Sequence, residues 1–150
     1  MQIQPLASKE NNIMDVTNVA EIKTLRQLNI AEETIESDAE KSMRFLGTFN
    51  QCIYGMVNFA GETPWEFHPD DEYIQVIEGN VEVILVTSED EAKVSLSTGD
   101  MFVVPKKTWH RQRSQDGVKL MFITSNEGNQ HSTVVPTNNQ NIQKSEEPTR

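Results

Sequence analysis

The side chains with the most chemistry in this sequence fall in two short stretches. The first, Gly61-Glu-Thr-Pro-Trp-Glu-Phe-His-Pro-Asp-Asp-Glu72, gathers Glu66, His68 and Glu72 around one turn and is followed by Glu78-Gly79. The second runs from Leu96-Ser-Thr-Gly-Asp100 through Pro105 to Trp109-His110. Imidazoles and carboxylates are the groups that hold divalent ions and that carry protons to and from a substrate.

The elements that must position these groups read as strands. From Met43 to about Ser125 the hydrophobic period is two, with β-branched and aromatic residues between Gly, Asn and Asp punctuation. Candidate strands are Met43–Phe49, Gln51–Phe59, Glu72–Glu78, Val81–Thr87, Ala92–Ser97, Met101–Val104, Trp109–Arg113 and Val118–Thr124. Turns are expected at Gly47 or Asn50, Gly79-Asn80, Ser88–Glu91, Gly99-Asp100 and Asp116-Gly117, the last a hairpin signal because both central residues tolerate positive φ. About eight short strands so spaced describe an all-β sandwich or barrel.

Alternation across a strand puts Glu66 and His68 on one face and Trp65 and Phe67 on the other. Likewise Thr108, His110 and Gln112 share a face, opposite Trp109, Arg111 and Arg113. Trp65 and Trp109 read as packing residues, and Lys106-Lys107 as a solvated loop. Tyr54, Met56, Asn58 and Gln112 are candidates to line a pocket, although alternation leaves open which face of the Gln51–Phe59 strand turns inward.

The two stretches together resemble the two-part motif of the cupin family. Its first part carries a glycine, a His-x-His pair, a glutamate and a closing glycine. Its second carries a glycine, a proline, an inner glycine, a histidine and an asparagine. Three residues separate His68 from Glu72 and six separate Glu72 from Gly79, while Gly99, Pro105 and His110 keep the second spacing. The departures are Glu66 at the first histidine, Lys107 at the inner glycine, Ser114 at the terminal asparagine, and Gly61 one residue closer to the pair than usual. The resemblance is to small single-domain members with a glutamate at the first metal position, and it covers about residues 43–125. It implies a double-stranded β-helix, the jelly-roll barrel.

The resemblance also brings His110 across the barrel to His68 and Glu72. Two neutral imidazoles and one carboxylate suit a divalent ion with open positions, so the implied metal ligands are His68, Glu72 and His110, with Glu66 as the candidate fourth. Glu66 has three readings: a fourth ligand, a general base beside the metal, or a residue that recognises a ligand without metal. As a ligand it would neutralise the ion and tilt preference toward iron(II) or manganese(II), with zinc(II) also admissible. Asp70 and Asp71 lack the motif spacing and read as turn residues. The implied function is a small metal-binding cupin that binds or acts on a small organic molecule. If catalytic, it would be an oxygenase, isomerase or lyase, with the metal polarising an oxygen-bearing substrate or taking up dioxygen and Glu66 moving a proton. The alternative is a non-catalytic, metal-free binding or sensing module. A homodimer paired through outer sheets is expected by analogy.

Outside the barrel, residues 1–14 read as a flexible leader, 15–42 as a short helix capped at Thr17 or Asn18 plus an acidic connection, and 126–150 as a disordered polar tail in which His131 has no role. The 150 residues suit one domain. A net charge of −10 argues against nucleic acid or anionic membrane as partner. No apolar run approaches the roughly 18 residues of a membrane span. The opening residues lack the pattern of a signal peptide, so cytoplasmic residence is expected. Cys52 has no partner for an internal disulfide and reads as a small buried hydrophobe.

Overall fold

Period-two segments with one apolar face must bury that face, and here they do so by curling one sheet onto itself. The computed structural model describes residues 16–31 and 41–136. The expected leader at 1–14, most of the acidic connection and the tail beyond 136 lie outside the described residues. Nine strands are seen among the described residues: β1 (Leu28–Asn29), β2 (Met43–Phe49), β3 (Cys52–Glu62), β4 (Trp65–Phe67), β5 (Glu72–Val86), β6 (Glu91–Ser97), β7 (Met101–Val104), β8 (His110–Ser125) and β9 (Gln130–Ser132). One path runs β1-β3-β8-β4-β9, with β2 added on β3; β5 pairs with β6, β7 and β8. No helix among these residues is long and apolar enough to cross a membrane.

β5 and β8 each replace two expected strands. The expected turn at Gly79-Asn80 and the expected hairpin at Asp116-Gly117 are instead bends within long strands, where Gly79 (φ +98°) pairs with Val118 and Gly117 has φ +109°. The ladder slips between Gly79 and Glu82, and a Cβ on Gly79 would collide with the Gly117 carbonyl oxygen. Glycine is needed because two backbones bend in contact. The signal of positive φ was real, but a strand partner on each side kept the chain extended. Ser114 stitches this corner: its Oγ donates to the Asn80 carbonyl at 2.7 Å and accepts from the Gly117 amide at 3.1 Å.

The N-terminal helix is shorter than its apolar spacing suggested. A 3-10 segment, Val19–Thr24, starts where the Asn18 side chain accepts from the Ala20 amide at 2.8 Å. Leu25 is already extended, and Leu28–Asn29 leaves the helical pattern to pair in parallel with Phe59 and Ala60. Sheet pairing thus outbids a weak local helix preference. Ile22 is buried, Glu21 pairs with Arg44 of β2 at 2.5 Å, and Asn58 of β3 donates to the Leu25 carbonyl. Asn58 therefore fastens this segment to the barrel wall.

Two apolar clusters hold the walls. The larger joins Leu28, Val57, Phe59, Ile74, Val76, Val81, Val83, Leu85, Leu96, Val104, Val118, Leu120 and Phe122. Trp65, Phe67, Ile84, Val86 and Trp109 form the other. The Phe67 and Trp109 rings lie 5.4 Å apart, and the Arg111 guanidinium stacks 4.5 Å over Trp65 while pairing with Glu62 at 2.8 Å. The aromatic side of β4 is thus fixed against β5 and β8, and alternation turns Glu66 and His68 the other way.

Candidate metal centre

β4 and β8 pair with Glu66 directly opposite His110, so both side chains project from the same face. Glu72 opens β5, and Leu85, much further along that strand, pairs with His110. Three strands thus deliver Glu66, Glu72 and His110, with His68 just after β4. One donor atom from each of the four residues lies within 4.8 Å of the others, a set that could hold a metal ion.

Glu72 lies between the histidines. Its Oε2 is 3.0 Å from His68 Nε2 and its Oε1 is 3.6 Å from His110 Nε2; Glu66 Oε2 is 3.3 Å from His68 Nε2. The imidazole rings are 5.1 Å apart. Despite these distances neither Nε2 makes an aligned hydrogen bond, and both are buried. Their other ring nitrogens are occupied: His110 Nδ1 faces the Thr108 carbonyl oxygen at 2.9 Å, and His68 Nδ1 faces Asn129 Oδ1 at 2.7 Å. A backbone carbonyl only accepts, so His110 carries its proton on Nδ1. The Asn129 amide nitrogen donates to the Ser125 carbonyl at 2.8 Å, which turns Oδ1 toward His68 and sets the same tautomer. Each neutral imidazole then aims an Nε2 lone pair at a carboxylate.

Lone pairs and carboxylates converging out of reach of bulk water require positive charge among them. Either a proton or a metal ion supplies it, and the donor set, two Nε2 atoms and two carboxylates, fits a divalent ion. The same electrostatics act on protons. Burial alone would push the His68 pKa down, but Glu66 and Glu72 raise it to about 11. Burial pushes Glu72 up, yet His110 and His68 hold it well below the usual carboxylate range. Gln112 Nε2 donates to Glu72 Oε1 at 3.3 Å, so this pocket candidate touches the site.

Glu66 differs from the other three in access. Its side chain keeps 13% of its surface exposed, against 4% or 5% for His68 and Glu72 and 1% for His110. Glu66 is therefore the member of the four most open to solvent.

Asp70 and Asp71 stay out of the centre, as their spacing implied. Asp70 binds Gln51 and Ser125, and Asp71 accepts from the Lys106 amide at 2.8 Å. Next to it, Lys107 takes φ +56° and donates its amide to the His68 carbonyl at 2.8 Å. This tie between the β7–β8 turn and His68 explains why a glycine suits that position.

The polar stretch after Ser125 is expected from its composition to be a disordered tail, with no role for His131. Through residue 136 it is built structure instead: β9 pairs with β4, and Asn129 contacts His68. Sequence reasoning missed Asn129 because its neighbours, Asn126 to His131, carry no apolar alternation.

Comparison with known proteins fits this architecture. The Cupin domain model matches residues 55–125. The uncharacterised protein YdbB of Bacillus subtilis is 35% identical over 88 residues, 58% of this chain and 73% of YdbB. A cupin-2 domain containing protein from Shewanella frigidimarina aligns at 28% identity and a TM-score of 0.48, over 56% of this chain and 79% of its own. The conserved SPY1581 protein of Streptococcus pyogenes, of unknown function, shares the fold at a TM-score of 0.53 and 10% identity, over 77% of this chain and 90% of its own. With the motif residues gathered in a curled jelly-roll sheet, this chain belongs to the cupin family.

Proposed function

We propose that the chain holds one divalent metal ion at His68, Glu72 and His110, with Glu66 in reach of it, and binds or transforms a small organic molecule there. The observation that carries this reading is the pair of buried Nε2 lone pairs, each fixed by an acceptor on its own Nδ1, converging on two carboxylates. Two carboxylates balance a divalent charge, which favours iron(II) or manganese(II), with zinc(II) next.

A bound ion would supply Lewis-acid polarisation of an oxygen-bearing group on that molecule. The protein's own residues do the rest. Glu72 accepts from the Gln112 amide, a bond that favours its ionised form. Glu66, the exposed carboxylate, takes or returns a proton at the mouth of the site. The outer face of edge strand β7 exposes Met101 and Val103, and the working unit under this reading is a homodimer that covers them.

The competing reading is a metal-free binding module, in which a proton on His68 offsets the carboxylates; the approach of Glu72 and Glu66 to His68 Nε2, at 3.0 Å and 3.3 Å, favours it. Calorimetric titration of chelator-treated, dialysed protein with manganese(II) and, separately, zinc(II) separates the two. Saturation at one ion per chain supports the metal centre, and the absence of binding by either ion overturns it.

A further inference from the structure

The segment that follows β8 doubles back over the site. Gly128, with φ +80°, lets the chain press on Pro69, where a Cβ would come within 3.2 Å of the proline ring. Asn129 then reaches His68 Nδ1, 61 residues earlier in the chain. β9 next runs antiparallel to β4, pairing Phe67 with Gln130, Glu66 with His131 and Trp65 with Ser132. Direct partners in an antiparallel ladder project from the same face, so His131 stands on the Glu66 side of the sheet. Glu66 is thus flanked across the strands by His110 on one side and His131 on the other. Below this, Ser125 Oγ donates to the Asp70 carboxylate and accepts from the Asp70 amide, anchoring the start of the segment beside the site.

We propose that this C-terminal strap is part of the metal centre, with Asn129 as a positioning residue that fixes His68 in the Nδ1–H tautomer and so aims Nε2 at the ion. The inference rests on the proposed metal site and adds a device to it. The bond from its amide nitrogen to the Ser125 carbonyl turns Asn129 Oδ1 toward His68. Docking of the strap thus presents the acceptor that orients the ligand. Linkage is reciprocal: a docked strap tightens metal binding, and a bound ion holds the strap down by the same factor.

The test compares wild type, Asn129→Leu and Asn129→Asp as full chains. Calorimetric titration with manganese(II) and zinc(II) is combined with backbone hydrogen exchange over residues 128–132, with and without the ion. Asn129→Leu removes the acceptor at similar size and is expected to weaken binding 10- to 100-fold, the range for an outer-shell partner of a metal-ligating histidine. Asn129→Asp keeps an acceptor for Nδ1 but loses the donor to the Ser125 carbonyl, and is expected to bind more tightly than Asn129→Leu; equal weakening in the two variants would overturn the acceptor role. In wild type the ion should slow exchange across 128–132, and in Asn129→Leu that slowing should be lost. Wild-type binding with Asn129→Leu within twofold of it, or exchange in the strap indifferent to the ion, overturns the positioning role and leaves the metal site standing. A wild-type chain that binds neither ion overturns both. If Asn129→Leu fails to fold, the exchange measurement on wild type decides alone.

Discussion

His110 donates its Nδ1 proton to the Thr108 carbonyl at 2.9 Å, and this leaves Nε2 as a bare lone pair 3.6 Å from Glu72 Oε1. Such a pair repels unless a cation lies close to both. Thr108 is two residues from His110 on the same chain, so the tautomer is set locally, without a long-range partner. The centre therefore has a directional preference built into its backbone, and its response to substitution and pH follows.

Replacing Glu66 tests whether it is a ligand or a base. Because it is the most exposed of the four and three other donors remain, Glu66→Gln is expected to keep stoichiometric metal with a loss of affinity under about tenfold, while any turnover falls by 10²–10⁴-fold. Loss of metal from this variant would make Glu66 an essential ligand instead. Metal analysis beside an activity assay reads both.

The pH dependence has a defined sign. His68 is raised from 6.5 to about 11, so in the metal-free protein its stabilising contribution is complete below pH 6.5 and is lost as pH rises through about 11. Glu72 is depressed from 4.5, so its contribution is present above that value and is lost as the solution is acidified through its lowered pKa. A metal ion must displace the His68 proton. Manganese(II) affinity is therefore expected to rise by about tenfold per pH unit between pH 7 and pH 9, with one proton released per ion. Calorimetry in buffers of different ionisation enthalpy counts that proton; affinity flat across this range would contradict the charge arrangement.

Lys107 sits in the left-handed region at φ +56°. Each non-glycine residue there costs about 1–2 kcal/mol, partly offset by the greater freedom of glycine in the unfolded chain. Lys107→Gly should be more stable than Lys107→Ala by about 1 kcal/mol in denaturant unfolding. Equal stabilities would mean that the tie to the His68 carbonyl is made without strain.

Ser114 occupies the place of the motif's terminal asparagine and bridges Asn80 to Gly117 at the corner of β5 and β8. Ser114→Ala leaves a part-buried carbonyl and amide without their hydroxyl partner and should cost about 1 kcal/mol. Thermal unfolding of the metal-free protein measures it. A shift within error would show that the corner is held by strand pairing alone.

Much of the site was legible because it depends on short spacings. Glu66 and His68 share a face by alternation, and Glu72 and His110 keep fixed offsets from glycines and a proline that bend the backbone. The packing roles of Trp65 and Trp109 followed from the same alternation, and the two residues meet in one apolar cluster. The corners at Gly79 and Gly117 were misread as turns because positive φ looks the same in a hairpin and in a bulge, and only the partner strand distinguishes them. Leu28 fitted a helical spacing but was captured by β3. Asn129 and β9 were hidden for a different reason. A three-residue strand at a sheet edge needs little apolar alternation, and a hydrogen bond spanning 61 residues leaves no local pattern.

The most direct test of the metal centre is elemental analysis of metal per chain, on untagged protein purified without chelator, with His110→Ala beside it. About one iron, manganese or zinc per wild-type chain, absent from a folded His110→Ala, is the expected result. Wild-type protein without metal that takes none up on reconstitution, or His110→Ala that keeps a full complement, would contradict it.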